Sequence, residues 1–371
     1  MAIDPKKDPF RRCRPVEFWP APDRRAWEAA MDKGDVLEPG GGGAAWAPLS
    51  QCKIGKGYGR WLTWLDGRGL LDPDAEPSAR ITRDRVRDYV TELSTLNAPY
   101  TVLARVQELY QAIRVMAPER DWAWLRGIEN GVRHAAIPVR NKRARLEPAD
   151  GLFALGIELM TAADDPDSGT RLQRACAYRD GLMVALLAAR PLRRRNFTAI
   201  SINRHLIHEG GLYWLRFEGS ETKTGEPIDA PFPDSLAPHL ERYLWEYRPF
   251  LLARDGQWKR VGRPSGQPDD ALWISARGFA MSEMAIYLRI CAATQARFGK
   301  VINPHLFRDS AATSIAIADP EHVLIAHSVL GHSSLQTSER YYIHAQTLEA
   351  SRRYQRRILE LRRNLRRRLQ H

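Results

Sequence analysis

The sequence predicts a mainly α-helical chain with one small antiparallel β-sheet, organised as a helical domain followed by an α+β domain. Three observations carry that expectation. Apolar residues recur at three- and four-residue spacing over most of the chain beyond residue 45. One β-prone stretch, "NRHLIHEGGLYWLRFEGSETKTGEPIDAPFP", interrupts them. A basic stretch held between two prolines, "IPVRNKRARLEP", divides the helical pattern in two.

Residues 1–45 hold a single short helical candidate, "DRRAWEAAM", between a proline-rich stretch and the glycine-rich "EPGGGGAAW". They read as an N-terminal extension, not a domain. From "GYGRWLTWLDGRGLL" onward, Tyr58, Trp61 and Leu65 share one helix face, and Val86, Tyr89, Val90 and Leu93 form a second stripe after the cap candidate Thr82. A third helix, "APYTVLARVQELYQAIRVM", places Leu103, Val106, Tyr110 and Ile113 on one side. Residues 46–138 are therefore expected to form a small all-helical bundle. The linker, 139–147, carries Arg140, Lys142, Arg143 and Arg145 with little apolar periodicity. It is either a solvated connector or a strap along phosphates, because a cationic chain gains affinity by releasing counterions.

Past the linker, residues 148–350 are helical apart from the β-prone stretch, in which Gly210-Gly211 and the polar "GSETKTGE" mark the turns of a three-stranded meander. Lys223 falls in the second turn. Residues 351–371 end the chain with Tyr354, Ile358, Leu361, Leu365 and Leu369 at three- and four-residue spacing on an arginine-rich helix.

Composition narrows the function. The 371 residues include 56 Lys and Arg against 44 Asp and Glu, a net charge of +12, which favours a polyanionic partner, nucleic acid ahead of an acidic membrane. Cys13, Cys52, Cys176 and Cys291 are too dispersed for a zinc site and too few for a disulfide framework, which fits a reducing cytoplasm. No apolar run reaches the ~18 residues of a membrane span, and "MAIDPKKDPFRRCRP" lacks the apolar centre of a signal peptide. His305, His322, His327, His332 and His344 crowd the C-terminal part, but without a His-Glu-x-x-His spacing or a companion carboxylate cluster. The glycine run has no Lys-Ser/Thr after it. No metal, ATP or other cofactor is expected.

Two basic stretches carry the chemistry. In "INPHLFRDSAATSIAIADP", Asn303 suits an N-cap and Pro304 the first helical position, with the helix stopping at Asp319-Pro320. His305 and Arg308 then share a face at the helix end that already favours an anion. Taken alone, this stretch reads sooner as a surface ion pair beside a capping histidine. In "AARPLRRRNFTAI", the apolar "GLMVALLAA" runs into Pro191 and then Arg193, Arg194 and Arg195. Consecutive helical residues diverge by about 100°, so the three arginines cannot share a role, and one faces inward. Arginines from two different helices can clamp a pentacoordinate phosphorane. Such a clamp without metal needs a protein nucleophile and an acid for the leaving oxygen. A tyrosine whose phenolate is stabilised by cations and a hydrogen-bonding histidine meets the first need, and a lysine in a mobile turn the second.

Arg193, Lys223, the "HLFR" of His305 and Arg308, "LGH" ending at His332, and a tyrosine about nine residues later stand in the order of the tyrosine recombinase, or phage integrase, family. The chain resembles that family over nearly everything beyond residue 45, and "GYGRWLTWL" through "PERDWAWL" is similar to its helical core-binding domain. The resemblance implies a core-binding domain over 46–138, a catalytic domain over 148–350, and six catalytic residues: Arg193, Lys223, His305, Arg308, His332 and Tyr341. Pro191 departs from the family's glycine and Asn196 stands where an acidic residue is usual, which keeps Arg194 open as a substitute for Arg193. In "LGHSSLQTSERYYIHAQ" only one of two adjacent tyrosines can enter the pocket; distance from His332 selects Tyr341, while His344 would fit Tyr342.

The implied reaction is metal- and ATP-independent phosphoryl transfer on double-stranded DNA with an inverted-repeat core site. Lys53, Lys56, Arg105, Arg140, Lys142 and Arg143 are the candidate DNA contacts. The implied partners are further copies of the chain, a tetramer in the synapse, and an accessory DNA-bending protein; the implied location is the cytoplasm, on the nucleoid. The apolar stripe of 351–371 is a candidate docking segment on a neighbouring subunit, with packing in cis or contact with DNA as the other readings. A monomeric type IB topoisomerase-like enzyme and a noncatalytic DNA-binding derivative are the competing functions. The first would use the same pocket; the second is disfavoured by the complete set of six side chains.

Overall fold

In a computed structural model the structure describes residues 12–139, 141–254 and 270–318, with the side chains of residue 143 and of 316–318 left out. The described chain is mainly helical with one three-stranded sheet, as the hydrophobic periodicity required. It divides into two compact units, Met1–Asn141 and Lys142–His371, and the boundary falls inside the basic stretch.

The first unit holds α1 (Ala21–Met31), α2 (Pro48–Asp66), α3 (Pro77–Arg80), α4 (Arg83–Leu96), α5 (Pro99–Met116) and α6 (Ala123–Ala135). Proline at the first or second position begins α1, α2, α3 and α5, where a missing N–H breaks no helical bond. The Thr82 hydroxyl accepts from the backbone N–H of Arg85 and caps α4. Tyr58, Trp61 and Leu65 of α2 are fully buried, with Val86 and Tyr89 of α4 and Ile113 of α5 packed in the same core.

Residues 12–45 differ from the expected extension. Trp19 and Trp27 belong to the core of the helical unit. Asp23 of α1 is buried, pairs with buried Arg80 at 2.9 Å and accepts from the Tyr58 hydroxyl at 2.5 Å. Arg80 also donates to the carbonyl of Ala75 at 2.7 Å, so the ion pair is hydrogen-bonded on both sides, the condition under which a buried pair is tolerated. The glycine-rich stretch lies back on the end of α1, with Gly41 N–H donating to Asp32 O at 2.8 Å and Gly43 N–H to Ala30 O at 2.9 Å.

The second unit holds α7 (Ala149–Asp164), α8 (Arg171–Ala189), α9 (Arg194–Thr198), β1 (Leu206–Glu209), β2 (Leu212–Phe217), β3 (Ile228–Pro231), α10 (Ala237–Arg242), α11 (Arg248–Leu252), α12 (Glu283–Phe298) and α13 (Pro304–Ala318). Helix α8 opens on a reciprocal Thr170/Gln173 cap and is buried without a break from Tyr178 to Ala188, which is why its sequence shows no polar face. Its crossing with α7 is close: a Cβ on Gly156 would come within 2.6 Å of the Gly181 carbonyl, and one on Gly181 within 2.6 Å of the Gly156 carbonyl. The sheet is the expected antiparallel meander in the order β1-β2-β3, with Leu206 opposite Leu215 and Phe217 opposite Ile228. Gly210 and Gly211, at φ of 60° and 78°, make the tight β1–β2 turn. The longer β2–β3 turn carries Lys223.

Candidate active site

Helix α8 stops where Pro191 cannot continue it, and the chain enters the five-residue α9 through Arg193 in extended conformation. That kink separates the three arginines. Arg193 is half-buried and lines a cavity of about 350 Å³. Arg194 instead pairs with Glu283 of α12 at 3.0 Å, and Arg195 is exposed. The substitute reading of Arg194 loses its geometric basis.

The second arginine arrives from α13. Asn303 caps that helix, its Oδ1 accepting from the N–H groups of His305 at 3.1 Å and Leu306 at 3.2 Å. One turn in, Arg308 is 9% exposed, lines the same cavity and donates to the carbonyl of Pro191. That bond ties α13 to the loop bearing Arg193. On the third side are Thr222 and Thr224, the neighbours of exposed Lys223. The Lys223 charge also reaches His305.

His305 opens the first turn of α13. Its imidazole pKa is held below the ordinary value, first by partial burial of the ring, against the pull of Asp309, and further by the cations Lys142, Arg308 and Lys223. Burial and the neighbouring cations favour the neutral ring, which offers one N–H. His332, Tyr341, Tyr342, His344 and the 351–371 stripe lie outside the described residues.

The basic stretch is anchored, not free. Lys142 pairs with buried Asp309 at 2.6 Å, Arg145 donates to the Val301 carbonyl at 3.1 Å, and Lys300 returns a bond to the Leu146 carbonyl at 2.8 Å. These contacts hold residues 142–146 against α13 and the loop before it, so this part of the stretch is not a free solvated connector. Arg140 and the Arg143 side chain are not described. In the helical unit, Arg105 and Lys53 converge at 2.6 and 3.9 Å on the buried carboxylate of Glu108, with Arg60 at 3.6 Å. Three cations on one carboxylate leave a net positive patch. Lys56 is exposed and borders a larger cavity of about 880 Å³ beside Trp27, which contains none of the expected catalytic residues.

Sequence reasoning passed over a polar cluster beside the Lys223 turn. Glu221 accepts from His205 Nε2 at 3.1 Å and is paired with Arg204, and its own backbone carbonyl takes a bond from Asn196 Nδ2 at 3.1 Å. The charge partner and the hydrogen bond hold the Glu221 carboxyl below its ordinary pKa, the His205 bond first. Asn196 follows Arg193 by three residues, and its departure from an acidic side chain was the only signal available. Among the described residues, no three His, Cys, Asp or Glu side chains come together as a metal site would require.

The family profile described as the Phage integrase family matches residues 158–349, which span the loop of Arg193, the sheet and α13. Among curated proteins, tyrosine recombinase XerC of Pseudomonas fluorescens strain Pf-5 is 26% identical over 165 residues, covering 44% of this chain and 48% of that protein. XerC of Pseudomonas putida strain W619 is 29% identical over 85 residues, 23% of this chain and 28% of that one. The chain thus spans about half the length, or less, of these relatives. Among solved structures, the XerH site-specific recombinase bound to palindromic difH substrate, in a post-cleavage complex, aligns over 82% of this chain and 79% of its own with a TM-score of 0.50 at 16% identity, a likeness of fold. With a profile that covers more than half of its residues, and with its two arginines brought to one cavity, the chain belongs to the phage integrase family of tyrosine recombinases.

Proposed function

We propose that the chain is a site-specific DNA recombinase or integrase that breaks and rejoins DNA strands through a covalent 3′-phosphotyrosyl intermediate, without metal or ATP. One observation carries the reading: Arg193, Arg308 and the threonines flanking Lys223 border a single cavity, although they come from three separate elements. Two guanidiniums around a phosphate neutralise the charge that builds on its oxygens as a fifth ligand adds. Tyr341 Oη releases its proton to solvent as the cations stabilise the phenolate and attacks phosphorus; the bond to the 5′ oxygen breaks, and Lys223 gives that oxygen a proton that it regains when a 5′ hydroxyl attacks. The 5′ hydroxyl of a second strand then displaces the tyrosine, returning the phenol and completing the exchange with no net loss of phosphodiester bonds. His305 and His332 hydrogen-bond the phosphate. The substrate is double-stranded DNA with an inverted-repeat core, met in the cytoplasm by several copies of the chain.

The test is attachment. Wild type, Tyr341→Phe and Tyr342→Phe are incubated with nicked duplexes of randomised sequence, and denaturation-resistant adducts are collected. Wild type and Tyr342→Phe should form them and Tyr341→Phe should not. An adduct that survives Tyr341→Phe and disappears in Tyr342→Phe would move the nucleophile by one residue.

A further inference from the structure

A lysine in a long polar turn is a poor acid unless the turn itself is held, because a misplacement of about 1 Å can cost roughly 10² in rate. The β2–β3 turn is held on its N-terminal side by an arrangement that local sequence does not suggest. Glu218 and Glu221 cap each other across a short 3-10 turn, the Glu218 N–H donating to Glu221 Oε2 at 3.1 Å. The other oxygen of Glu221 receives His205 Nε2 at 3.1 Å. The ring of His205 is 3% exposed, stacks on Phe217 with centroids 4.5 Å apart, and accepts the Ser201 N–H on Nδ1 at 3.1 Å. That last bond fixes the tautomer, so the proton sits on Nε2 and points at Glu221. Asn196 Nδ2 holds the Glu221 carbonyl, and the Thr222 hydroxyl closes the turn onto the Glu226 carbonyl at 2.8 Å.

The residue two positions before Lys223 is thus tied by its side chain to the loop entering β1 and by its backbone to α9, the helix that Arg193 immediately precedes. We propose that Glu221, clamped by His205, is a positioning residue that sets the Lys223 turn against the Arg193 loop and so delivers the lysine to the leaving 5′ oxygen. The inference rests on the strand-cleavage reading above. It adds to that reading two residues that never touch DNA phosphate and act only through Lys223.

Glu221→Gln is the isosteric test, with Glu221→Ala as a second variant. The DNA is a duplex recovered by the wild-type chain from the randomised nicked pool, prepared with either oxygen or sulfur at the bridging 5′ position of the scissile phosphate. Sulfur leaves without needing a proton. Glu221→Gln should cleave the oxygen substrate about tenfold slower or worse, with unchanged duplex affinity, and the sulfur substrate at the wild-type rate. In a Lys223→Ala background the substitution should cause no further loss, since both act on one step. Hydrogen exchange of the 221–225 amides should speed up in both variants.

Equal losses on the two substrates, additive losses with Lys223→Ala, or unchanged exchange would overturn the brace. A wild type that captures no DNA overturns the strand-cleavage reading itself and the delivery role with it.

Discussion

Arg308 has two jobs that a single substitution can separate. Its guanidinium lines the cavity and also holds the Pro191 carbonyl, so Arg308→Ala removes the proposed phosphate contact together with the bond to that carbonyl. Arg308→Ala should lower cleavage by roughly 10² or more and lower folding stability by about 1–3 kcal/mol. Arg308→Lys keeps the charge but not the planar fork, and should restore more stability than activity. Denaturant unfolding and adduct formation, measured on the same preparations, separate the two effects; if the lysine variant recovers both equally, the bidentate clamp is wrong. His305 offers a second measurement. Its pKa is depressed in the fold, so the native state resists protonation, and the stability it contributes is present above about pH 6.5 and is lost as pH falls through the folded value. An NMR titration of His305 should give a midpoint below 6.5; a midpoint above it would mean that Asp309 outweighs burial and the three cations.

Helix α13 depends on its first turn. Four N–H groups at a helix start lack intrahelical partners, and Asn303 Oδ1 takes two of them directly beneath His305 and one turn below Arg308. Asn303→Ala should cost about 1 kcal/mol in urea unfolding, while Asn303→Asp, which caps as well and adds charge at the positive helix end, should be close to neutral. Cleavage should follow stability in the alanine variant, because fraying displaces both side chains. An alanine variant with unchanged unfolding would show that Pro304 and the packing of Leu306 and Phe307 hold the helix start without the cap. The meander behaves differently: its strands are short, and the polar cluster around Glu221 carries the part of the turn that burial cannot.

For the chain as a whole, recombination and relaxation differ in assembly more than in chemistry. We propose that the 351–371 stripe, in whose sequence apolar residues recur at three- and four-residue spacing among arginines, docks on a neighbouring copy of the chain. Each aliphatic side chain seated in a neighbouring copy contributes about 1.5–3 kcal/mol at full burial, before ordering costs. Truncation after Ala350 should leave single-site binding and Tyr341 attachment measurable and abolish assembly of paired sites and strand exchange. Normal synapsis by the truncated chain, followed by gel shift on two-site DNA, would assign the stripe to packing in cis or to DNA contact.

The order of the basic residues, the helix faces, the meander with its two turns and the caps at Thr82 and Asn303 were all legible in the sequence, because each depends on neighbours within one or two turns of the chain. Which arginine of the three turns inward was given only by the family's motif order and not by helix geometry, since Arg194 finds Glu283, a residue far along the sequence, and only folding brings α12 beside α9. The same reason explains Lys142 pairing with Asp309, Asp23 pairing with Arg80 inside what looked like an extension, and the bond from His205 to Glu221. Periodicity reports how much of a side chain is hidden; which partner a hidden charge meets is decided by the packing of elements that are distant in sequence.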